Sequence, residues 1–237
     1  MSFRSKEGNK NIMCYNKELS LVALTVGWLS SAVLYCLSNK AQTDQEQGQL
    51  RVVAVFSAYA TLMQLYDLLF WLHPTDSKIN RVVTHAAILT NNMQPLVLLL
   101  CVRIFLPKTA MRVPSLVVCA LYGVFALPQT AEALRVSTGT PLGGAYKTPQ
   151  WEWNHLRRRG GWSIAYGLLF VTSLCLTSLQ SFTGIPRMLV SGYLFISFLF
   201  SWAKYRISSS IGRFWCFFGA FLPLWVLVAA RMSSRTP

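Results

Sequence analysis

The sequence predicts an all-α integral membrane protein whose chain crosses the bilayer seven times. Hydrophobic residues make up 53% of the 237 residues and charged residues only 13%, whereas roughly 25% of the residues are charged in an average soluble domain. The charged residues also fall in short stretches between long apolar runs, which is the pattern of a helical membrane protein. The runs lack the alternation of a membrane barrel, so α-helices are the expected spanning elements.

Seven apolar runs predict the number of helices. A spanning helix needs about 20 mostly apolar residues, because each residue advances about 1.5 Å through a hydrocarbon core roughly 30 Å thick. The end of the fourth run is weakened by Pro128, Gln129 and Glu132. The runs occupy 19–37, 52–72, 82–106, 113–134, 162–180, 188–203 and 214–230.

Most connections between the runs are short, so we expect consecutive helices to pack as antiparallel neighbours. The exception is the loop 135–161, which is rich in Gly and Pro and has a second half rich in Trp. Trp rings favour the membrane–water interface, and we expect that half to lie there. The expected organisation is a polar N-terminal segment over 1–18, a transmembrane domain over 19–231 and a tail over 232–237.

The chain is strongly basic, with 22 Lys and Arg against 8 Asp and Glu and a formal charge of +14. Such a charge indicates nucleic acid binding in a soluble protein, but no RNA-binding motif or zinc-finger spacing is present. Basic residues that flank apolar helices bind anionic lipid head groups, so the expected partner is the lipid bilayer and not nucleic acid. With a cytoplasmic N-terminus, 14 of the 22 basic residues lie on the cytoplasmic side. The positive-inside rule therefore predicts the N-terminus inside and the C-terminus outside.

Polar residues within the apolar runs are the candidate functional residues, because an Asp at the centre of a spanning helix costs about 2.5 to 3.5 kcal/mol. In the second run, Gln64 and Asp67 lie three residues apart and share one helical face. In the third run, Asn91 and Gln94 precede Pro95, which removes a helical hydrogen bond and kinks the helix. The predicted intramembrane patch comprises Gln64, Asp67, Asn91, Gln94, Gln129 and Glu132.

Two interpretations of this patch remain open at the level of sequence. The polar groups can hydrogen-bond to one another across helices and hold the helices together, with each bond contributing about 0.6 kcal/mol. Alternatively, they can line a polar cavity or an ion path, in which an acidic residue binds a cation or carries a proton.

Several classes of site are disfavoured. The six cysteines form no CxxC motif or Cys/His cluster, so we expect neither a zinc site nor a disulfide framework. His85 and His155 are single histidines without the spacing of metal ligands. The last run lacks the lysine that a retinal pigment needs, and no HExxH or GxSxG motif occurs. We therefore expect no enzymatic activity, no metal and no cofactor.

Several short motifs recur in a known group of proteins. The stretch 13–20 reads Met-Cys-Tyr-Asn-Lys-Glu-Leu-Ser, and 63–67 reads Met-Gln-Leu-Tyr-Asp. Asn80, Gln-Pro at 94–95 and His-Leu at 155–156 follow. In these motifs the chain resembles a family of uncharacterised multi-pass membrane proteins of large DNA viruses and microbial eukaryotes. The resemblance covers most of the first 156 residues and implies a multi-pass membrane topology, and it indicates no particular activity.

The resulting functional hypothesis is a channel or transporter for an ion or a small solute, with the intramembrane patch as its site. The alternative is a non-catalytic membrane scaffold or receptor-like protein that acts through partners. A continuous polar cavity among the second, third and fourth helices would favour transport, and a dry, fully packed core would favour the scaffold.

Overall fold

The computed structural model describes residues 17–74, 78–107, 113–143, 148–149, 161–205 and 216–233. Within these ranges the chain forms seven α-helices, so the all-α prediction is confirmed there. Each predicted run overlaps one helix, in the predicted order. The helices are α1 (Lys17–Ser38), α2 (Asp44–Leu72), α3 (Lys78–Phe105), α4 (Val113–Val136), α5 (Gly161–Ser181), α6 (Gly184–Tyr205) and α7 (Leu222–Ser233).

Helices α1 to α4 are each long and apolar enough to cross a membrane. The fourth run, with the polar end, therefore forms a full-length helix. Shorter apolar segments cover Gly167–Ser181 in α5, Arg187–Ser201 in α6, and Cys216–Ala229, which begins before α7 and extends into it. Large apolar side chains also point outward from several helices, among them Leu29, Val124 and Ile196, which are 63%, 67% and 66% exposed. An apolar outer surface of this extent is typical of a protein that meets lipid or a partner.

Helix α2 begins at Asp44, eight residues before the second apolar run, because a polar cap starts it. The Thr43 hydroxyl accepts a hydrogen bond from the Glu46 backbone N–H at 3.1 Å, and the Glu46 carboxylate accepts one from the Gln42 backbone N–H at 3.1 Å. The first bond satisfies a donor that the first turn of a helix leaves without a partner, and the second fixes the residue that precedes the cap. The Arg51 guanidinium then bonds to the Asn39 side chain at 2.9 Å and ties the start of α2 to the end of α1.

Consecutive helices pack against one another, and α7 returns to contact α1 and α2. Two glycines allow close approach between neighbouring helices. A Cβ added to Gly48 of α2 would lie 2.3 Å from the carbonyl oxygen of Phe105 at the far end of α3. A Cβ added to Gly27 of α1 would lie 2.6 Å from Thr61 Oγ1 of α2. The start of α2 thus meets the end of α3, as expected for antiparallel neighbours.

The seventh apolar run is not one continuous helix, contrary to the prediction. The chain is helical at 216–219, turns at Ala220 and Phe221, and resumes as α7 at Leu222. Pro223 explains the interruption, because it has no N–H to donate to the Gly219 carbonyl and its ring clashes with that carbonyl in a continuous helix. In place of the helical pattern, the Phe221 N–H donates to the Phe218 carbonyl at 2.9 Å.

The long loop predicted over 135–161 is described only in part. Its start, up to Val136, belongs to α4, and its end is the first residue of α5. Two two-residue strands, Leu142–Gly143 and Thr148–Pro149, pair antiparallel, which the sequence analysis did not predict. The Trp-rich part of the loop, His155, and residues 13–16 of the first family motif lie outside the described residues.

Candidate functional site

A continuous chain of polar side chains runs through the interior from α3 to α4 and to the segment before α7. The Gln94 amide donates to Cys216 Sγ at 3.7 Å, and the Cys216 thiol donates to Asn91 Oδ1 at 3.9 Å. The Asn91 amide donates to Asn92 Oδ1 at 3.2 Å, and the Asn92 amide donates to Thr130 Oγ1 at 2.7 Å. This α3 polar chain joins three parts of the fold and contains two of the predicted patch residues.

Tyr122 of α4 extends these contacts to the backbone of α3 and to α5. Its side chain is fully buried, and its hydroxyl donates to the Asn92 carbonyl at 2.6 Å. Its ring packs edge-on against Phe170 of α5, with ring centroids 5.7 Å apart. Pro95 has no N–H to donate to the Asn91 carbonyl. The Asn92 carbonyl that Tyr122 binds is the next one along the chain, so the part of α3 with the interrupted hydrogen bonding faces α4.

Helix α2 contributes a second group of buried polar residues. Gln64 and Asp67 are 0% and 1% exposed, so both side chains lie inside the protein. Neither amide atom of Gln64 has a hydrogen-bond partner among the described residues. The same holds for the hydroxyls of Ser57 and Thr61, which precede Gln64 by seven and three residues. Ser57, Thr61 and Gln64 therefore form one face of the helix, the α2 polar row.

The two predicted patch residues of α4 are placed differently from the rest. Gln129 and Glu132 are only half-buried, on either side of the fully buried Thr130. The α4 residue that bonds to α3 is Thr130, which was not among the residues predicted from the sequence. The buried part of the predicted patch thus consists of Gln64 and Asp67 on α2 and of Asn91 and Gln94 on α3.

A small cavity lies next to both groups, among α2, α3, α6 and the segment before α7 rather than among α2, α3 and α4. Its volume is about 20 Å³, and a buried water needs roughly 10–15 Å³ measured in the same way. It therefore has room for about one water-sized occupant. Its lining residues are Phe56, Ser57, Ala60, Gln94, Leu194, Cys216, Gly219 and Leu222.

A separate polar cluster joins the segment after α4 to the end of α2 and the start of α3. The Asn80 amide donates to the His73 and Thr140 carbonyls at 2.7 and 3.1 Å, and its oxygen accepts the Thr140 N–H at 2.7 Å. The Thr84 and Thr140 hydroxyls lie 2.8 Å apart. Asn80 is also one of the residues that carry the family resemblance described above, and these hydrogen bonds give it a structural role. His85 Nε2 lies 3.2 Å from the Ser137 carbonyl oxygen, just beyond the end of α4.

Sequence reasoning missed Ser57, Thr61, Thr130, Tyr122 and Cys216. The spacing of Ser57, Thr61 and Gln64 was a visible signal, because polar residues at i, i+4 and i+7 share one helical face. Cys216 gave no such signal. It lies 122 residues from its bonding partner on α3, so only the tertiary fold brings the two together. Among the described residues, no group of three or more His, Cys, Asp or Glu side chains could hold a metal ion.

The fold and this site define an all-helical protein with four helices long and apolar enough to span a bilayer and with polar groups buried in its interior. No protein-family model matches the chain, no curated protein matches its sequence, and no solved structure matches its fold.

Proposed function

We propose that this protein is a multi-pass integral membrane protein, with seven spanning helices, that binds and moves a small solute or ion through its interior. The observation that carries the proposal is Gln64. Its side chain is 0% exposed, and neither of its amide atoms has a hydrogen-bond partner among the described residues. A polar group left without a partner in a membrane interior costs several kcal/mol, so a ligand or water at Gln64 would remove a large penalty.

The surroundings of Gln64 support the same function. Ser57 and Thr61 extend the polar row along α2, and Ser57 and Gln94 line a cavity with room for about one water-sized occupant. Asp67 is 1% exposed and lies one helical turn beyond Gln64. Because the cavity is so small, we propose an occluded conformation in which helices must move for the solute to enter or leave.

The α3 polar chain favours the second candidate, a non-catalytic membrane scaffold or receptor-like protein. Asn92 bonds to Thr130 at 2.7 Å and receives the Tyr122 hydroxyl on its carbonyl at 2.6 Å. Side chains that satisfy one another across helices hold a bundle together without any need for a ligand. The suspected viral and microbial family remains compatible with either candidate.

Flux into proteoliposomes that contain the full-length protein tests the proposal. We expect wild-type flux for at least one ion or small polar solute from a broad panel, measured at two pH values. Asp67→Asn keeps the side-chain shape and removes the charge, so it should change the flux or its pH dependence with little loss of folding. Gln94→Leu removes a polar group from the cavity wall at similar volume and should also change the flux.

The matched control is Glu18→Gln, which also replaces a carboxylate by an amide. The Glu18 side chain is 61% exposed, at the start of α1 and away from the cavity, so this variant should transport as the wild type does. If the wild-type protein moves no ion or solute from the panel, the transport proposal fails and the scaffold takes its place.

A further inference from the structure

The segment before α7, residues 216–221, is joined to α3 by weak hydrogen bonds. The Gln94 amide donates to Cys216 Sγ at 3.7 Å, and the Cys216 thiol donates to Asn91 Oδ1 at 3.9 Å. A thiol is a weak donor and its sulfur a weak acceptor, so these bonds hold the segment less firmly than bonds between nitrogen and oxygen atoms. On the side of α6, the Tyr193 hydroxyl donates to the Phe218 carbonyl. Separation of the segment from α3 therefore costs little through its two thiol bonds.

The packing beside this segment is incomplete. Cys216, Gly219 and Leu222 line one part of the cavity of about 20 Å³, and Ser57 of α2 lines another. Groups that border a void lose the dispersion contacts that a close-packed interior provides. A Cβ added to Gly219 would meet nothing within 4 Å, so the backbone there has open space beside it. Segments with few packing contacts open locally at a lower free energy than the rest of a fold.

The helix break gives the segment a hinge. Pro223 has no N–H to donate to the Gly219 carbonyl, and Ala220 and Phe221 form a turn between the helical residues 216–219 and α7. Hinges are a few residues at the ends of structural elements that absorb a change in backbone angles. The residues 216–219 can therefore move relative to α7 without breaking a continuous helix.

We propose that the segment before α7 is the gate of the cavity. It turns about Ala220 and Phe221 and moves away from α2 and α3, which widens the cavity and separates the Cys216 thiol from Gln94 and Asn91. A polar solute can then bind these two amides in place of the thiol. As the gate for a transported solute, this inference rests on the transport function proposed above. Opening of the segment itself rests on its weak bonds, its incomplete packing and its hinge.

Alkylation of Cys216 by N-ethylmaleimide in the folded full-length protein tests the gate. The Cys216 side chain is 5% exposed, so the reagent reaches the thiol when the segment moves. Cys101 of α3 and Cys119 of α4 are internal controls, because they are similarly buried, at 4% and 1% exposed, and lie outside the lining of the cavity. Peptide mass spectrometry gives the rate at each cysteine. We expect Cys216 to react at least about tenfold faster than either control in the folded protein, and all three to react at similar rates in denaturant.

Two variants change the gate in opposite directions. Tyr193→Phe removes the hydroxyl that holds the Phe218 carbonyl, so alkylation of Cys216 should accelerate about two- to tenfold. Pro223→Ala allows the helix to continue through the hinge, so Cys216 should react more slowly than in the wild type. If Tyr193→Phe does not fold, Pro223→Ala gives the test on its own.

Tyr59→Phe is the matched control for Tyr193→Phe. Tyr59 of α2 is also a half-buried tyrosine, and its hydroxyl also donates to a backbone carbonyl, that of Thr90 of α3 at 3.2 Å. Neither Tyr59 nor Thr90 belongs to the segment before α7 or to the lining of the cavity. Alkylation of Cys216 in this variant should therefore proceed at the wild-type rate.

Equal rates at Cys216, Cys101 and Cys119 in the folded wild type overturn the gate, because the cysteines would then react through a common unfolding. A Tyr193→Phe variant that accelerates all three cysteines equally overturns it for the same reason. Failure of the transport function looks different. Fast and selective alkylation of Cys216 without any flux upholds the gate and overturns transport, whereas flux with a protected Cys216 upholds transport and overturns the gate.

Discussion

The substitution Gly48→Ala tests how closely α2 and α3 approach each other. A Cβ at this position would lie 2.3 Å from the Phe105 carbonyl oxygen and 2.9 Å from Leu106 Cδ2, below the 3.0 Å that real Cβ contacts respect. Because the nearest atom belongs to the backbone, a change of rotamer cannot relieve the clash, and the two helices must separate.

Two opposing terms set the size of the effect. Overpacking costs about 1–3 kcal/mol, whereas alanine in place of glycine stabilises a helix by about 1 kcal/mol. Since the closest contact is with backbone, we expect overpacking at the upper end of that range and a net loss of about 1–2 kcal/mol. At about 2–4 °C per kcal/mol for a chain of this size, Tm in detergent should fall by about 2–8 °C.

Gly123→Ala is the matched control, because a Cβ at Gly123 of α4 meets nothing within 4 Å. Only the helix-propensity gain applies there, so Tm should rise by about 2–4 °C. The two substitutions are chemically identical and should act in opposite directions. A Gly48→Ala variant as stable as the wild type, or more stable, would refute the close approach of α2 and α3.

Three further predictions concern structure and topology. Asn80→Ala leaves the buried Thr140 N–H without its acceptor at 2.7 Å, so the stability measured by thermal unfolding should fall by about 1–3 kcal/mol. Tyr122→Phe keeps the ring and removes its 2.6 Å bond to the Asn92 carbonyl, which should cost about 0.5–1.5 kcal/mol in the same assay. The two termini should label from opposite faces of the membrane in cysteine-accessibility mapping, with the N-terminus cytoplasmic, and labelling from one face would contradict the predicted topology.

Hydropathy predicted the helices because each of them contains a long apolar run that can be recognised in the sequence. It failed at the start of α2, where the residues from Asp44 to Arg51 are mostly polar and a side-chain cap decides the boundary. Thr43 followed three residues later by Glu46 is a sequence signal for such a start. It failed again before α7, where composition favours a continuous helix and Pro223 interrupts it. Both signals, the cap and the proline, are visible in the local sequence.

The candidate site was predictable to a lesser degree. Asp67 and Gln64 were candidates because polar groups in an apolar run need partners, and both are buried. The partners of the polar residues were not predictable, because they depend on which helices meet. Asn91 and Gln94 meet Cys216, which is more than 120 residues away along the chain. The cavity likewise uses α6 and the segment before α7, which contain none of the six residues of the predicted patch.

Pro223→Ala tests whether the proline causes the helix break before α7. The alanine N–H can donate to the Gly219 carbonyl, so the helix can run through Ala220 and Phe221. Loss of the proline ring costs about 0.4–1 kcal/mol through the unfolded state, whereas a buried carbonyl without a hydrogen bond costs about 1–3 kcal/mol. The variant should therefore have a higher Tm than the wild type in thermal unfolding. A Tm equal to or below that of the wild type would show that the proline does not cause the break.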